Sequence, residues 1–120
     1  MSSPLEVGLI DSYAHRVAGG VRVVLHLPDA TLPDGEVRLR FRSEGRRRVV
    51  PARVEAAAEG VVVESLEPRK LGPGAPWTIQ LGAGEDWLPV GARVLAARRP
   101  QPVALLVGRP TRSTVLPAAR

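Results

Sequence analysis

An all-β sandwich is the fold this sequence predicts, on three observations. Short apolar stretches alternate with polar residues at a period of two, Gly and Pro fall between those stretches, and no segment of ten or more residues carries a helical pattern. A chain of 120 residues suits one domain with one core. With 44% hydrophobic and 24% charged residues, the composition is that of a globule and not of a disordered chain. Twelve Gly and twelve Pro act as turn punctuation and imply many short elements. The expectation is a single antiparallel sandwich over residues 1–108, of about seven to eight strands. An Arg/Pro/Ala-rich tail over 109–120, partly disordered, follows it.

Val21 to Leu27 places Val21, Val23, Leu25 and Leu27 on one face, which makes a strand ended by Pro28-Asp29. Pro33-Asp34-Gly35 turns the chain into the clearest strand, Glu36 to Arg42, where Val37, Leu39 and Phe41 alternate with Arg38, Arg40 and Arg42. Ser43-Glu44-Gly45-Arg46 is a hairpin turn into Arg47 to Val54, and Pro51 predicts an edge or a bulge there because it donates no ladder bond. Val61 to Leu66 is short and β-branched, hence a strand. The Pro- and Gly-rich stretch Glu67 to Pro76 is a long connection, and Trp77 to Leu81 alternates inward and outward. Gly82 to Gly91 reads as another loop, and Ala92–Ala97 and Val103–Val107 complete the set. The predicted core is Val23, Leu25, Val37, Leu39, Phe41, Val62, Trp77, Ile79, Leu81 and Val94.

Composition narrows the chemistry. Without Cys there is no disulfide, thiolate metal site or cysteine nucleophile, and a reducing compartment fits. The N-terminus lacks a basic segment followed by an apolar one, and no apolar run reaches the roughly 18 residues of a membrane span, so a cytoplasmic location is expected. The formal charge of +5 is carried by sixteen Arg and one Lys, a bias that also fits the codon usage of a GC-rich bacterial genome.

The densest positive stretch, Arg38 to Arg53, holds seven arginines against Glu44. Arg38, Arg40, Arg42, Arg46, Arg47 and Arg48 form a candidate anion-binding hairpin, since guanidinium groups make bidentate bonds to phosphate or sulfate and release counterions. The competing reading is a solvated face with Glu55, Glu59, Glu64 and Glu67 as cross-strand neighbours. Trp87, in Gly82 to Pro89 beside Glu85 and Asp86, is either a sugar-stacking loop contact or a plug for the end of the sandwich. Few aromatics are available as base-stacking platforms, which argues against sequence-specific nucleic-acid recognition. His15 and His26 lack a ligand set, no Ser sits in a nucleophile elbow, and neither Gly72-Pro73-Gly74 nor Gly82-Ala83-Gly84 opens a phosphate-binding helix. No enzyme, metal or cofactor is expected.

Glu36 to Arg42, Arg47 to Val54, Val61 to Leu66, and Leu71-Gly72-Pro73-Gly74-Ala75-Pro76-Trp77-Thr78-Ile79-Gln80-Leu81 followed by Gly91-Ala92-Arg93 come in an order that is similar to one known family. Between Val21 and Val94 the chain resembles the immunoglobulin-like accessory domains attached to some bacterial cell-envelope glycosyltransferases. The resemblance implies a non-catalytic role: protein–protein interaction or self-association as a partner of a biosynthetic enzyme, or else binding of an anionic glycan or polyphosphate. It carries over no catalytic residue.

Overall fold

The computed structural model describes residues 3–98 and 101–108, together with the backbone of 114–116. The strands are β1 (Tyr13–Val17), β2 (Gly20–Leu27), β3 (Gly35–Ser43), β4 (Arg46–Ala56), β5 (Val61–Ser65), β6 (Trp77–Ala83), β7 (Asp86–Leu95), β8 (Ala104–Val107) and β9 (Thr114–Leu116). They form one antiparallel sheet in the order β1-β2-β5-β4-β3-β6-β7-β8-β9, and no helix occurs among the described residues. The tail expected at 109–120 lies outside the described residues except for the backbone of β9, which pairs with β8.

Two turns set the registers that matter. Glu44 and Gly45 both take positive φ, 45° and 80°, between the paired residues Ser43 and Arg46. That left-handed pair matches the twist of the flanking strands, and Gly supplies the second position without steric cost. Gly84, at φ 67°, opens the two-residue turn between Ala83 and Asp86. The expected loop over Gly82–Gly91 is therefore mostly strand: β6 runs to Ala83, and β7 starts at Asp86 and carries Pro89 and Gly91 within it.

β4 is the longest strand and serves two partners, pairing with β3 from Arg46 to Val54 and with β5 from Ala52 to Ala56. β4 is an internal strand of the sheet, and Pro51 lies one residue beyond the last β4–β5 ladder pair, Ala52 with Ser65, where β4 begins to present an edge on that side. The Pro51 carbonyl accepts from Leu66 N at 2.8 Å, on the side where a non-proline would donate back to the Leu66 carbonyl. Arg22 supplies the missing donor, with its Nη2 2.8 Å from Leu66 O. The β4–β5 ladder ends at this point.

The sheet curls until its ends approach. Arg16 Nη2, at the end of β1, donates to Ala97 O beyond β7 at 2.7 Å, and the molecule measures 37 × 30 × 29 Å, nearly as deep as it is wide. Residues ahead of β1 complete the closure: Leu5 N donates to Pro89 O and Gly91 N to Leu5 O, in parallel pairing with β7, and Gly8 N donates to His26 O at the end of β2. Inside lie Trp77, Phe41, Leu25, Leu27, Leu39, Ile79, Leu81 and Leu105, all below 2% exposure. The predicted core holds with two corrections. Val62 faces outward, because Val61 and Val63 take the inner positions opposite Leu27 and Leu25, and Val37 is only partly buried near the start of β3.

Candidate functional site

Strand alternation divides the six candidate arginines between two surfaces. Along β3, Leu39, Phe41 and Ser43 point inward, so Arg38, Arg40 and Arg42 point out. On β4, Arg47 lies opposite Arg42 and joins that outer face. Arg48 lies opposite the buried Phe41 and Arg46 opposite the buried Ser43, which puts both on the inner face at the open end of the fold. The hairpin is thus not one patch of six.

The inner pair caps the core. Arg46 sits 4.6 Å and Arg48 5.8 Å from the centre of the Trp77 ring, which is itself fully buried. Trp77 Nε1 donates to Gly72 O at 3.0 Å, and Ser43 Oγ donates to Ala75 O at 2.9 Å, so the connection between β5 and β6 is tied down over the same ring. Cationic heads over a Trp face add roughly 0.5–2 kcal/mol per contact, depending on how dry the contact is. These two arginines are engaged in closing the structure.

The outer face is built on Trp87. Gly82 is its cross-strand partner, and a Cβ at Gly82 would fall 2.7 Å from the Trp87 ring, so the indole lies flat on bare backbone. Arg40 stacks over the ring at 4.1 Å and Arg38 at 4.8 Å. Arg40 Nε also donates to Gln80 Oε1 at 2.7 Å, and Arg38 Nη2 to Gly84 O at 3.3 Å. Trp87 therefore stands in β7 and not in a loop, and it packs on the outer face of the sheet and not at an end of the fold. The ring is thus in contact with Gly82 and with two guanidinium groups of its own chain. It holds two arginines in fixed positions.

The acidic neighbours expected for this stripe are elsewhere. Across the strands, Arg38 faces Pro51 and Gly82, Arg40 faces Val49 and Gln80, and Arg42 faces Arg47 and Thr78. Of Glu55, Glu59, Glu64 and Glu67, only Glu64 lies opposite an arginine, and that is Arg53, which has Glu36 on its other side. Burial against the sheet, together with the charges of Arg42, Arg47 and Arg38, lowers the pKa of Arg40 from its ordinary value. It stays a cation at neutral pH, in a field of like charge that an anion would relieve.

The remaining candidates are dispersed. Glu85 lies in the β6–β7 turn and Asp86 starts β7, both exposed. His26 Nε2 is 2.8 Å from Glu59 O, and the His15 and Tyr13 rings meet edge to face with their centres 5.4 Å apart. Among the described residues no group of three or more His, Asp or Glu is gathered to hold a metal ion. Gln80, Gly82 and Arg93, the last opposite Thr78 and in line with Arg42 and Arg47, belong to the arginine face and were not legible without the hairpin register. No family model, characterised protein or solved structure matches the chain.

Proposed function

We propose that the chain is a non-catalytic accessory module of immunoglobulin-like build that holds an anionic glycan or polyphosphate on its arginine face, for a partner biosynthetic or cell-envelope enzyme in the cytoplasm. The observation that carries this reading is the stacking of Arg38 and Arg40 on Trp87, in a row continued by Arg42 and Arg47, with no carboxylate across from any of the four. Ordering a guanidinium before a ligand arrives removes part of the entropic cost of binding. Charges repeated every second residue of a strand, about 7 Å apart, suit a linear polymer better than a compact ion. Trp87, the ring on this face, is already in contact with two arginines, so recognition rests on charge.

The build is supported by the strand order. An immunoglobulin-like build groups strands as β1-β2-β5 and β4-β3-β6-β7, and both runs occur in the order of the single sheet, where β4 joins them. Among the described residues no helix is long and apolar enough to cross a membrane.

Binding of inorganic polyphosphate, followed by fluorescence anisotropy across a salt series, tests the reading. Removing one phosphate-contacting arginine is expected to lower the log–log salt slope by about one. Arg38→Gln, Arg40→Gln, Arg42→Gln and Arg47→Gln are each expected to do so, whereas Arg46→Gln and Arg48→Gln change stability and leave the slope in place. Equal slopes for all six variants would falsify the assignment. A second reading, a protein partner or a second copy of the chain, is favoured by Leu9 and Ile10, which are 46% and 94% exposed. Association through those residues is expected to persist in high salt.

A further inference from the structure

β4 loses one of its two neighbours partway along. It pairs with β5 from Ala52 to Ala56, and Leu66 N still donates to Pro51 O. The chain then follows β2 instead, where Arg69 and Val21 exchange backbone bonds of 2.9 and 3.1 Å. From Arg46 to Val50 the strand therefore has β3 on one side and, among the described residues, no strand on the other. Backbone groups alternate between the two edges of a strand, so the Pro51 carbonyl fixes which groups face the open side. Val49 and Arg47 share its parity and point their N–H and C=O groups out of the sheet, while Arg46, Arg48 and Val50 bond to β3. Arg47 is exposed and Val49 half-buried, and Arg47 O also accepts from Arg48 Nη1 at 2.9 Å.

An open edge of this kind takes a further strand, with main-chain bonds giving affinity and side chains giving selectivity. The side chains here are mostly cationic. Arg47 and Arg42, directly opposite each other, lie on the outer face, with Arg46 and Arg48 on the inner one. Glu44 in the hairpin turn and Glu67 next to Leu66 are the carboxylates at the two ends of the stretch, and neither is paired across a strand with these arginines. Two copies of the chain joined edge to edge would set arginines against one another, and like charges across a strand pair are destabilising. An acidic strand gains from the same charges. We infer that the Arg47–Val49 edge binds an extended acidic segment of a partner protein as an added antiparallel strand, with an apolar residue beside Val49 and, two residues later, a Glu or Asp beside Arg47. The inference does not rest on the polymer-binding reading, because an added strand donates to the Arg47 and Val49 carbonyls, which a polyanion cannot do.

Amide NMR titration of the full chain with the capped peptide Thr-Thr-Val-Thr-Glu-Thr-Thr, read by shifts and by hydrogen exchange, tests it. Saturable binding is expected to slow exchange of the Arg47 and Val49 amides. N-methylation of the peptide at Val and Glu, the residues facing β4, is expected to weaken it about tenfold or more, whereas N-methylation at the Thr residues on either side of Val leaves binding in place. Lys in place of Glu is expected to weaken it about tenfold. Val49→Pro keeps the β3–β4 ladder, because it has the parity of Pro51, and is expected to weaken the peptide about tenfold with the polyphosphate salt slope unchanged. No saturation, or equal binding of the two N-methylated peptides, overturns the added strand. Equal binding of the Lys peptide overturns the acidic partner, as does dimerisation of the free chain with the same two amides protected. Peptide binding without polyphosphate binding supports the strand and overturns the polymer reading alone.

Discussion

Gly82 and Trp87 illustrate how a residue without chemistry of its own can decide a surface. The indole needs the empty space over Gly82, and the two arginines need the indole. Gly82→Val is expected to cost about 1–3 kcal/mol through overpacking and to detach Arg38 and Arg40 from the ring. Denaturant unfolding checks the first effect, and the emission of Trp87 in a Trp77→Phe background checks the second. The Trp77→Phe change alone removes the hydrogen bond to Gly72 O and leaves space in the core, and is expected to destabilise by about 1–3 kcal/mol. Alternation in Glu36–Arg42 made the outward direction of Arg38, Arg40 and Arg42 legible in the sequence. The inward direction of Arg46 and Arg48 was not, because three consecutive arginines mask the period, and only the register across the Glu44-Gly45 turn assigns them.

At the scale of elements, the long β4 shows how far Pro51 can be read: the edge it predicts exists on one side only, past the last β4–β5 pair. A proline inside a sheet is excluded only if its missing donor goes unreplaced, and Arg22, 29 residues earlier in the chain and on β2, replaces it. Arg22→Met is expected to leave Leu66 O unpaired and to cost about 1–3 kcal/mol in chemical unfolding. β1 and the first half of β7 escaped a reading by periodicity for related reasons. Only Ala14 of β1 is buried, which leaves no apolar stripe, and Pro89 and Gly91 mark β7 as a loop although both meet the N-terminal segment at backbone level. That segment carries a pH signature. A hydrogen bond to Asp29, then the Asp29 charge, then slight burial raise the pKa of Glu6 above its ordinary 4.5. The folded chain therefore holds this proton more tightly than the unfolded one. The resulting stabilisation is complete below the ordinary value and is lost as pH rises through the raised one. Melting curves are expected to show wild type losing stability over that interval relative to Glu6→Gln, which keeps a hydrogen-bonding side chain without titrating.

Over the whole molecule, the all-β antiparallel architecture was legible because period-two runs and turn residues repeat throughout. The continuity of the sheet was not, since it depends on one strand serving two partners and on backbone bonds from residues far apart in the chain. The same geometry sorts charge: Arg53 falls between Glu36 and Glu64, whereas Arg38, Arg40, Arg42 and Arg47 fall among neutral residues and one another. Like charges placed directly across a strand pair, as Arg42 and Arg47 are, weaken a sheet, and a bound polyanion offsets that cost. The most direct measurement of this account is a backbone amide NMR titration of the full chain with inorganic polyphosphate at moderate salt. Shifts are expected to concentrate on β3, the adjoining part of β4, and β6–β7 around Gly82 and Trp87, with β1, β2 and β5 silent. Shifts spread evenly over both halves of the sheet, or none at that salt concentration, would contradict it.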